Sequence, residues 1–433
     1  MLKRKMLLKL RDWKKEQGHK SLLIRGMRQC GKTYIVNQFG QETYKYVVNL
    51  NFIEHPEYKS IFEGALEVDE LIKRISLVLP EARFEKGDTL IFLDEIQECA
   101  NARASLKFWT ADGRFDVIAT GSLLGLNYKD ELSFPVGYVK TLNMYSLDFE
   151  EFLWAKGYDE DALNNLKELF VRGEEIPQAI HKKMMDNVKE YMLVGGMPEA
   201  VNTFIQSSNF ALVHEVQAGL INDYLDDIAR YAPSADKLKA RKCFLSIPAQ
   251  LAKENTKFQY KLVEKGSSAR KYGNSLDWLR DQGIAAFCHN LTVPEFPPEA
   301  YKDEDNFRMY LTDIGLLISM YGFEMKSVIM SDQFSGTSKG GIYENLIADF
   351  LIKKDRNLYY FKSKDSQREI EFILTDGNGK IVPVEVKAKR GTSHTLNAML
   401  KKDNVAYGYK ISAQNQGVEG NKKTIPFYMA MFL

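Results

Sequence analysis

One octapeptide restricts the fold of this chain more than any other feature. Residues 26–33 fit the pattern G-x-x-x-x-G-K-[ST]. They follow a short apolar run at Ser21–Arg25 and precede a helical pattern at Lys32–Phe39. In that context the loop N–H groups and the helix N-terminus can face phosphate oxygens. The pattern predicts a phosphate-binding loop formed by Gly26, Met27, Arg28, Gln29, Cys30, Gly31, Lys32 and Thr33.

A second motif supplies the acids that such a loop needs. The apolar run TLIFL at residues 89–93 leads directly into Asp94 and Glu95. We expect Lys32 to reach the β- and γ-phosphates, and Thr33 and Asp94 to hold Mg²⁺. Glu95 could then orient or deprotonate the water that attacks the nucleotide. The plainer interpretation is that the two acids form a solvated strand end. The predicted ligands are ATP and Mg²⁺.

The first third of the chain alternates short apolar runs with helical patterns. Such alternation is typical of a mostly parallel sheet covered by helices on both faces. From about residue 158 to 320 the pattern is helical, and from Gly340 onward it returns to α/β. In SLDFEEFL, at residues 146–153, Ser146 is the expected N-cap of a helix containing Phe149 and Phe152. We therefore expect an α/β protein whose first domain is a P-loop parallel sheet.

Composition excludes several classes of protein. The chain has 433 residues, enough for two or three domains. Its 59 Lys and Arg nearly balance its 58 Asp and Glu, so no overall basic field indicates nucleic acid. Its 4 cysteines form no C-x-x-C pair, and no apolar run is long enough to span a membrane. Charges interrupt the opening segment, which predicts an amphipathic helix rather than a signal peptide. The expected location is the cytoplasm.

The acid pair and the polar end of the next apolar run resemble the AAA+ class of ATPases. That run ends in ATGS at residues 119–122. The resemblance implies that Ser122 senses the γ-phosphate, with Thr120 as second choice. An ordinary hydrogen-bonded hydroxyl at a strand end is the alternative.

A wider set of phrases resembles one prokaryotic family of AAA+ ATP-binding proteins with a C-terminal, restriction-endonuclease-like domain of unknown function. The phrases are GMRQCGKT, LDEIQ, TGSLLG, SFPVGY, LDFEEFL, GGMPEAV, YLDDIARY, LTDIGLL and YENLIADF. The family pattern has an arginine where this chain has Tyr138, which leaves Arg103 and Arg114 as basic candidates near the site. Surface solvation explains either arginine equally well.

We predict four domains, with a change of charge in the third. They are an AAA+ domain at 1–157, a helical linker at 158–235, a winged-helix-like domain at 236–320 and a nuclease-like domain at 321–433. Residues 236–275 hold ten basic and three acidic side chains, an excess of seven positive charges. That excess suits DNA contacts through residues 236–290. A helical packing domain with solvated lysines is the alternative.

The last domain resembles the PD-(D/E)xK nuclease core. Glu371 lies on the predicted strand EIEFIL, residues 369–374, and is followed fourteen residues later by Glu385-Val386-Lys387, while Glu344 lies on the preceding helix pattern. Glu385 and Lys387 are two apart in a strand pattern, so both leave the same sheet face. The resemblance implies that Glu371 and Glu385 bind Mg²⁺ or Mn²⁺ and that Lys387 holds or activates water. Solvent-facing residues of an alternating strand are the alternative.

Two functions from different classes remain open at this stage. The first is an ATPase that couples hydrolysis to DNA binding or processing by its C-terminal domains. The second is a nucleotide-gated switch or scaffold that binds a partner without cutting. A P-loop kinase is a third, weaker interpretation. We expect no membrane contact, and an oligomer is possible.

Overall fold

The chain forms two compact units in a computed structural model that describes residues 2–122, 137–253, 256–331, 333, 336, 338–365, 368–388 and 391–433. The N-terminal unit comprises Lys3–Ser146 with Asp281–Gly283, and the C-terminal unit comprises Leu147–Arg280 with Ile284–Leu433. The change of unit comes at Ser146, earlier than the predicted boundary at 157. The division into four domains stays a prediction. Among the described residues, no helix has the length and apolar character needed to cross a membrane.

The N-terminal unit alternates helices and strands as its sequence pattern predicts. Its elements are α1 (Lys5–Lys15), β1 (Ser21–Gly26), α2 (Lys32–Thr43), β2 (Tyr46–Asn51), α3 (Val68–Val78), β3 (Thr89–Asp94), α4 (Ala100–Asp112), β4 (Asp116–Ser122) and β5 (Val139–Asn143).

The five strands form one parallel sheet in the order β2-β3-β4-β1-β5. All six residues of β3 are buried, as expected for a strand with neighbours on both sides and helices on both faces. Because the strands are parallel, the loop after β1 and the ends of β2, β3 and β4 meet at one edge. The predicted P-loop sheet of AAA+ type is therefore confirmed.

The C-terminal unit begins with helices and ends in two sheets. Its elements are α5 (Phe149–Ala155), α6 (Glu160–Arg172), α7 (Gln178–Val194), α8 (Pro198–Ser207), α9 (Phe210–Tyr231), α10 (Lys237–Leu251), α11 (Tyr260–Val263), α12 (Ala269–Asp281), β6 (Ala285–Leu291), β7 (Lys302–Leu311), α13 (Ile314–Met320), α14 (Glu324–Met330), α15 (Ser338–Ile352), β8 (Leu358–Lys362), β9 (Glu369–Ile370), β10 (Phe372–Thr375), β11 (Ile381–Lys387), α16 (His394–Met399), β12 (Gly408–Ser412), β13 (Gly417–Glu419) and β14 (Lys422–Pro426).

The first helix of this unit is capped by a different residue from the one predicted. Asp148, rather than Ser146, is the N-cap of α5. Its carboxylate accepts a hydrogen bond from the Glu151 N–H at 2.8 Å, and the Glu151 carboxylate accepts one from the Asp148 N–H at 3.2 Å. This reciprocal pair is a capping box. The prediction named Ser146 because the helix was expected to begin earlier than Phe149.

The two sheets have the orders β7-β6-β8-β9 and β10-β11-β12-β14-β13. Strand β6 pairs antiparallel with β7 to form a hairpin, and it pairs parallel with β8. The predicted winged-helix-like region therefore shares a sheet with the predicted nuclease-like region.

The run EIEFIL, predicted as one strand, is two strands. It breaks at Glu371, where β9, paired with β8, ends and β10, paired with β11, begins. A chain that leaves one sheet and enters another must bend at the transfer point. The single-strand prediction was wrong here because alternation does not show which sheet each residue joins.

A buried group of polar side chains joins three helices of the C-terminal unit, α7, α13 and α15. We call Tyr191, Asp313, Asp349 and Lys353 the Lys353 cluster. Lys353 Nζ lies 2.8 Å from Asp349 Oδ1 and 3.7 Å from Asp313 Oδ2. It also donates to Tyr191 Oη at 2.8 Å and to the Leu147 carbonyl at 3.0 Å. Burial raises the pKa of Asp349 to about 6, although Lys353 acts in the opposite direction. The cluster is stable only because nearly every charge has a partner.

Glycines allow the backbone to approach this cluster closely. A Cβ on Gly196 would lie 1.9 Å from the Leu147 carbonyl oxygen, and one on Gly315 would lie 2.5 Å from the Gly195 nitrogen. The Gly196 N–H donates to Asp313 Oδ2 at 2.8 Å. The phrases that meet here are LDFEEFL, GGMPEAV, LTDIGLL and YENLIADF. They build the interior of the C-terminal unit.

We predict that Lys353→Met lowers the free energy of unfolding of the C-terminal unit by about 3–5 kcal/mol, since it leaves Asp313 and Asp349 buried without a cation. Urea unfolding followed by circular dichroism measures the change. Lys401→Met, at an exposed position, is the matched control. A loss below about 1 kcal/mol would show that the two aspartates do not depend on Lys353.

Candidate nucleotide site

The phosphate-binding loop lies between β1 and α2, where the motif predicts it. Gln29 and Gly31 have positive φ values of 60° and 95°, which curl the loop ahead of α2. Lys32 is buried, and its Nζ donates to the carbonyls of Gly26 at 3.1 Å and Met27 at 3.0 Å. The lysine therefore lies within the loop that its own backbone forms.

Arg4, the N-cap residue of α1, donates hydrogen bonds that hold the phosphate-binding loop in place. Its guanidinium donates to the carbonyl of Cys30 at 2.9 Å and to that of Tyr145 at 2.6 Å. The loop also packs closely on the segment after β5, because a Cβ on Gly26 would lie 2.1 Å from the Met144 carbonyl oxygen. Sequence reasoning missed Arg4, since no local pattern shows that residue 4 reaches residue 30.

Asp94 is the hydrogen-bonding centre of the site. Its fully buried carboxylate accepts from Thr33 Oγ1 at 2.9 Å, from Asn51 Nδ2 at 3.1 Å and from the hydroxyl of Thr120. Burial raises the pKa of Asp94, while the hydrogen bonds from Thr120 and Thr33 act to lower it. Asn51 was missed by sequence reasoning. The available signal was a polar residue that ends β2 as Asp94 ends β3.

Glu95 adopts a left-handed conformation, with φ 55° and ψ 47°, directly after β3. Such a backbone is costly for a residue with a side chain and is found where the surroundings enforce it. The Glu95 carboxylate accepts a hydrogen bond from Gln97 Nε2 at 2.5 Å. The structure therefore places both acids at the edge of the sheet where the phosphate loop lies.

The structure locates the predicted sensors only in part. Thr120 is the hydroxyl that contacts Asp94. Ser122 is the last residue of β4, and its side chain lies outside the described part of the protein. Most of the predicted motif residues 120–125 and 133–138 also lie outside the described ranges. Of the candidate arginines, Arg114 is paired with Asp69 at 2.6 Å and Asp112 at 2.8 Å.

Three of the predicted C-terminal residues lie together. Glu371 Oε2 accepts from the Val386 N–H at 3.0 Å, and Lys387 Nζ lies 3.3 Å from Glu385 Oε1. Burial raises the pKa of Glu371 to about 8. Burial lowers the pKa of Lys387, but the carboxylates of Glu371 and Glu385 outweigh burial, so that the pKa rises overall. Glu385 is buried, and its Oε2 has no hydrogen-bond partner among the described residues.

The carboxylate of Glu344, the fourth predicted residue, accepts hydrogen bonds from other side chains. Its Oε2 accepts from Arg308 Nη1 at 3.0 Å and from the Tyr310 hydroxyl at 2.9 Å. Arg308 is 1% exposed, and its other side binds Glu369. Within the described part of the chain, no group of three or more acidic, histidine or cysteine side chains has the arrangement of a metal site.

Comparison with known families assigns the first part of the chain. Residues 18–153 match a family model described as an AAA domain. Residues 185–327 and 339–429 match two models described as domains of unknown function, DUF8612 and DUF4143. A search of the curated proteins finds no match.

Several solved structures show distant similarity. The Aeropyrum pernix ORC1 protein in complex with DNA is 13% identical, with 76% of this chain and 94% of that chain covered and a TM-score of 0.33. Drosophila ORC bound to DNA is 15% identical, with coverages of 75% and 93% and a TM-score of 0.27. AMPPCP-bound DnaA from Aquifex aeolicus is 10% identical, with coverages of 64% and 86% and a TM-score of 0.26. Such low scores support no functional inference.

We predict that Arg4→Ala weakens ATP binding by about tenfold, because each hydrogen bond from a charged donor to the buried loop contributes about 1.5–3 kcal/mol. Isothermal titration with a non-hydrolysable ATP analogue measures the dissociation constant. Arg11→Ala is the control, since Arg11 lies on the same helix but pairs with Glu42 at the surface. Equal affinities of both variants would contradict a role for Arg4 in shaping the loop.

The match to the AAA domain model and the order of the strands indicate the same fold for the N-terminal unit. Strand order, the loop after β1 and the acid pair after β3 are all present in the region that matches the AAA domain. The predicted restriction-endonuclease-like character of the last domain stays a prediction. Residues 18–153 match the AAA domain family and have the P-loop sheet expected of it, with the phosphate-loop motif between β1 and α2.

Proposed function

We propose that this protein is a Mg²⁺-dependent ATPase whose nucleotide state controls DNA binding by its C-terminal unit. The observation that carries the proposal is the arrangement around Asp94. One carboxylate is joined to the phosphate loop through Thr33, and Glu95 follows it directly.

The residues at the loop suit a Mg²⁺-bound nucleotide. The hydroxyl of Thr33 and the carboxylate of Asp94 are hard oxygen donors 2.9 Å apart, and such donors are the ligands Mg²⁺ prefers. A bound Mg²⁺ would neutralise charge on the phosphate oxygens. Lys32 would exchange its two loop carbonyls for phosphate oxygens. The Asn51 and Thr120 contacts keep the Asp94 carboxylate oriented in either state.

Glu95 is the residue that suits this site to hydrolysis rather than to phosphate transfer to another acceptor. Water attacks the γ-phosphorus, the bond to the β–γ bridging oxygen breaks, and ADP and inorganic phosphate form. Glu95 orients the water and takes the proton that it loses. A kinase would need an acceptor positioned in place of that water.

We predict that Glu95→Gln lowers the turnover number for ATP by at least about a hundredfold while ATP still binds, because the amide cannot take the proton. Phosphate release in Mg²⁺ measures turnover, and titration with a fluorescent ATP analogue measures binding. Glu98→Gln, whose carboxylate pairs with Lys59 instead, should retain wild-type turnover. Hydrolysis by Glu95→Gln at the wild-type rate would refute this role.

The charge and order of elements after residue 236 support DNA as the partner. Helices α10, α11 and α12 are followed by the β6–β7 hairpin, which is the order of a winged helix. Six described basic side chains at residues 236–275 are exposed: Arg241, Lys253, Lys261, Lys265, Arg270 and Lys271. Glu264 neutralises part of the charge, because it pairs with Lys242 and Lys271.

We predict that replacing both Lys265 and Arg270 with Glu weakens duplex binding at least tenfold and reduces the slope of log K against log salt by about two. Fluorescence anisotropy over a range of salt concentrations tests this. The control replaces Lys182 and Lys183, which are exposed on α7, with Glu. Equal loss in both variants would indicate a general charge effect rather than a DNA surface.

The switch function without cleavage is the second candidate, and the position of Glu344 favours it. Arg308 and Tyr310 occupy the Glu344 carboxylate, so the described residues do not supply three carboxylates to a metal. Incubating plasmid DNA with Mg²⁺ or Mn²⁺ distinguishes the two functions. Cleavage that Glu385→Ala abolishes would indicate a nuclease, and intact DNA would support the switch.

A further inference from the structure

We propose that Gln97 is the positioning residue for Glu95 in ATP hydrolysis. This inference rests on the proposed ATPase function and names a further residue of the same site. It starts from the single side-chain hydrogen bond that joins Gln97 Nε2 to Glu95 Oε2 at 2.5 Å.

The backbone at Glu95 makes such a restraint necessary. The left-handed conformation at φ 55° turns the residue out of the line of β3, so the sheet does not fix the direction of its side chain. A glutamate has three side-chain torsions, and an unrestrained carboxylate would sample many positions. Catalysis needs the proton acceptor within hydrogen-bond reach of one water position. A donor that holds one carboxylate oxygen removes much of that freedom and leaves the other oxygen available.

Local geometry fixes which end of the Gln97 amide faces Glu95. Nε2 can donate to a carboxylate, whereas Oε1 in the same place would set two acceptors against each other. Gln97 Oε1 is buried and accepts no hydrogen bond from any described residue. The amide therefore faces Glu95 as a donor.

The short turn after β3 sets the distance between the two residues. Residues Ile96–Glu98 form one 3₁₀ turn, in which the Glu98 N–H donates to the Glu95 carbonyl at 3.0 Å. That turn brings residue 97 back towards residue 95. Ile96 between them is fully buried and anchors the turn in the core. Gln97, the last residue of the phrase LDEIQ, is thus placed where it can hold the Glu95 carboxylate.

The chain offers a matched pair as a control. Gln38 Nε2 donates to Glu42 Oε1 at 2.8 Å on α2, and Gln38 Oε1 is also buried without a hydrogen-bond partner among the described residues. This pair has the same chemistry as Gln97–Glu95, but both of its residues are on α2 and neither donates to Asp94 in the described contacts. Removal of the Gln38 amide should leave ATP hydrolysis at the wild-type rate.

The experiment compares Gln97→Met, Gln97→His and Gln38→Met in the 433-residue chain. Gln97→Met keeps the volume of the side chain and removes the donor, so we expect kcat to fall about ten- to a hundredfold while KM changes less than about twofold. Gln97→His, assayed at about pH 8 where the imidazole is neutral, restores an uncharged donor and should recover part of kcat. A role in packing alone predicts the reverse order, with Met tolerated and His harmful. Thermal unfolding and binding of a fluorescent ATP analogue show that each variant is folded.

The outcomes separate this inference from the function on which it rests. If the wild type hydrolyses ATP, Glu95→Gln is inactive and Gln97→Met retains wild-type kcat, the positioning role is overturned and the ATPase function stands. If Gln97→Met and Gln38→Met lose kcat equally, the effect is not specific to Glu95 and the inference also fails. Absence of hydrolysis by the wild type would overturn both.

Discussion

The N-terminal unit depends on one buried carboxylate. Asp94 ends the interior strand β3, where burial opposes its charge, and side chains from three different elements donate hydrogen bonds to it. Thr33 belongs to the helix after the phosphate loop, Asn51 ends β2, and Thr120 lies in β4. These hydrogen bonds offset the cost of burying the Asp94 carboxylate, and they also hold the phosphate-binding loop against the sheet. The buried charge of Asp94 must be satisfied by hydrogen bonds, and these bonds connect the phosphate-binding loop to the sheet.

The C-terminal unit satisfies buried charges in the same way in its own interior. Lys353 is surrounded by two aspartates, a tyrosine and a backbone carbonyl, and glycines bring the main chain close enough to complete the network. Four sequence phrases that resemble a family pattern prove to be parts of this one interior. Their residue types follow from the need to satisfy buried charges.

The acids of the two units differ in what surrounds them. Glu95 is held by a neutral amide, which restricts its carboxylate without neutralising it. Glu344 is held by an arginine, which takes up its charge, and Glu385 lies beside Lys387. An acid held by a neutral donor keeps its capacity to accept a proton or a cation, whereas one paired with arginine loses much of it. This difference is why the proposed chemistry is placed at the N-terminal site.

The sequence by itself determined the phosphate loop, the acid pair and the alternation of the N-terminal sheet, because each depends on residues adjacent in the chain or on a short period. It also predicted that Glu385 and Lys387 leave the same sheet face, since side chains two apart on one strand do so, and the two side chains lie 3.3 Å apart. Arg4, Asn51, the N-cap Asp148 and the break at Glu371 were decided only by the tertiary structure. Each depends on a contact between residues far apart in the chain, or on the exact residue at which an element begins or ends. The commitment of Glu344 to Arg308 is of the same kind, because a sequence shows that an acid is present but not which partner already holds it.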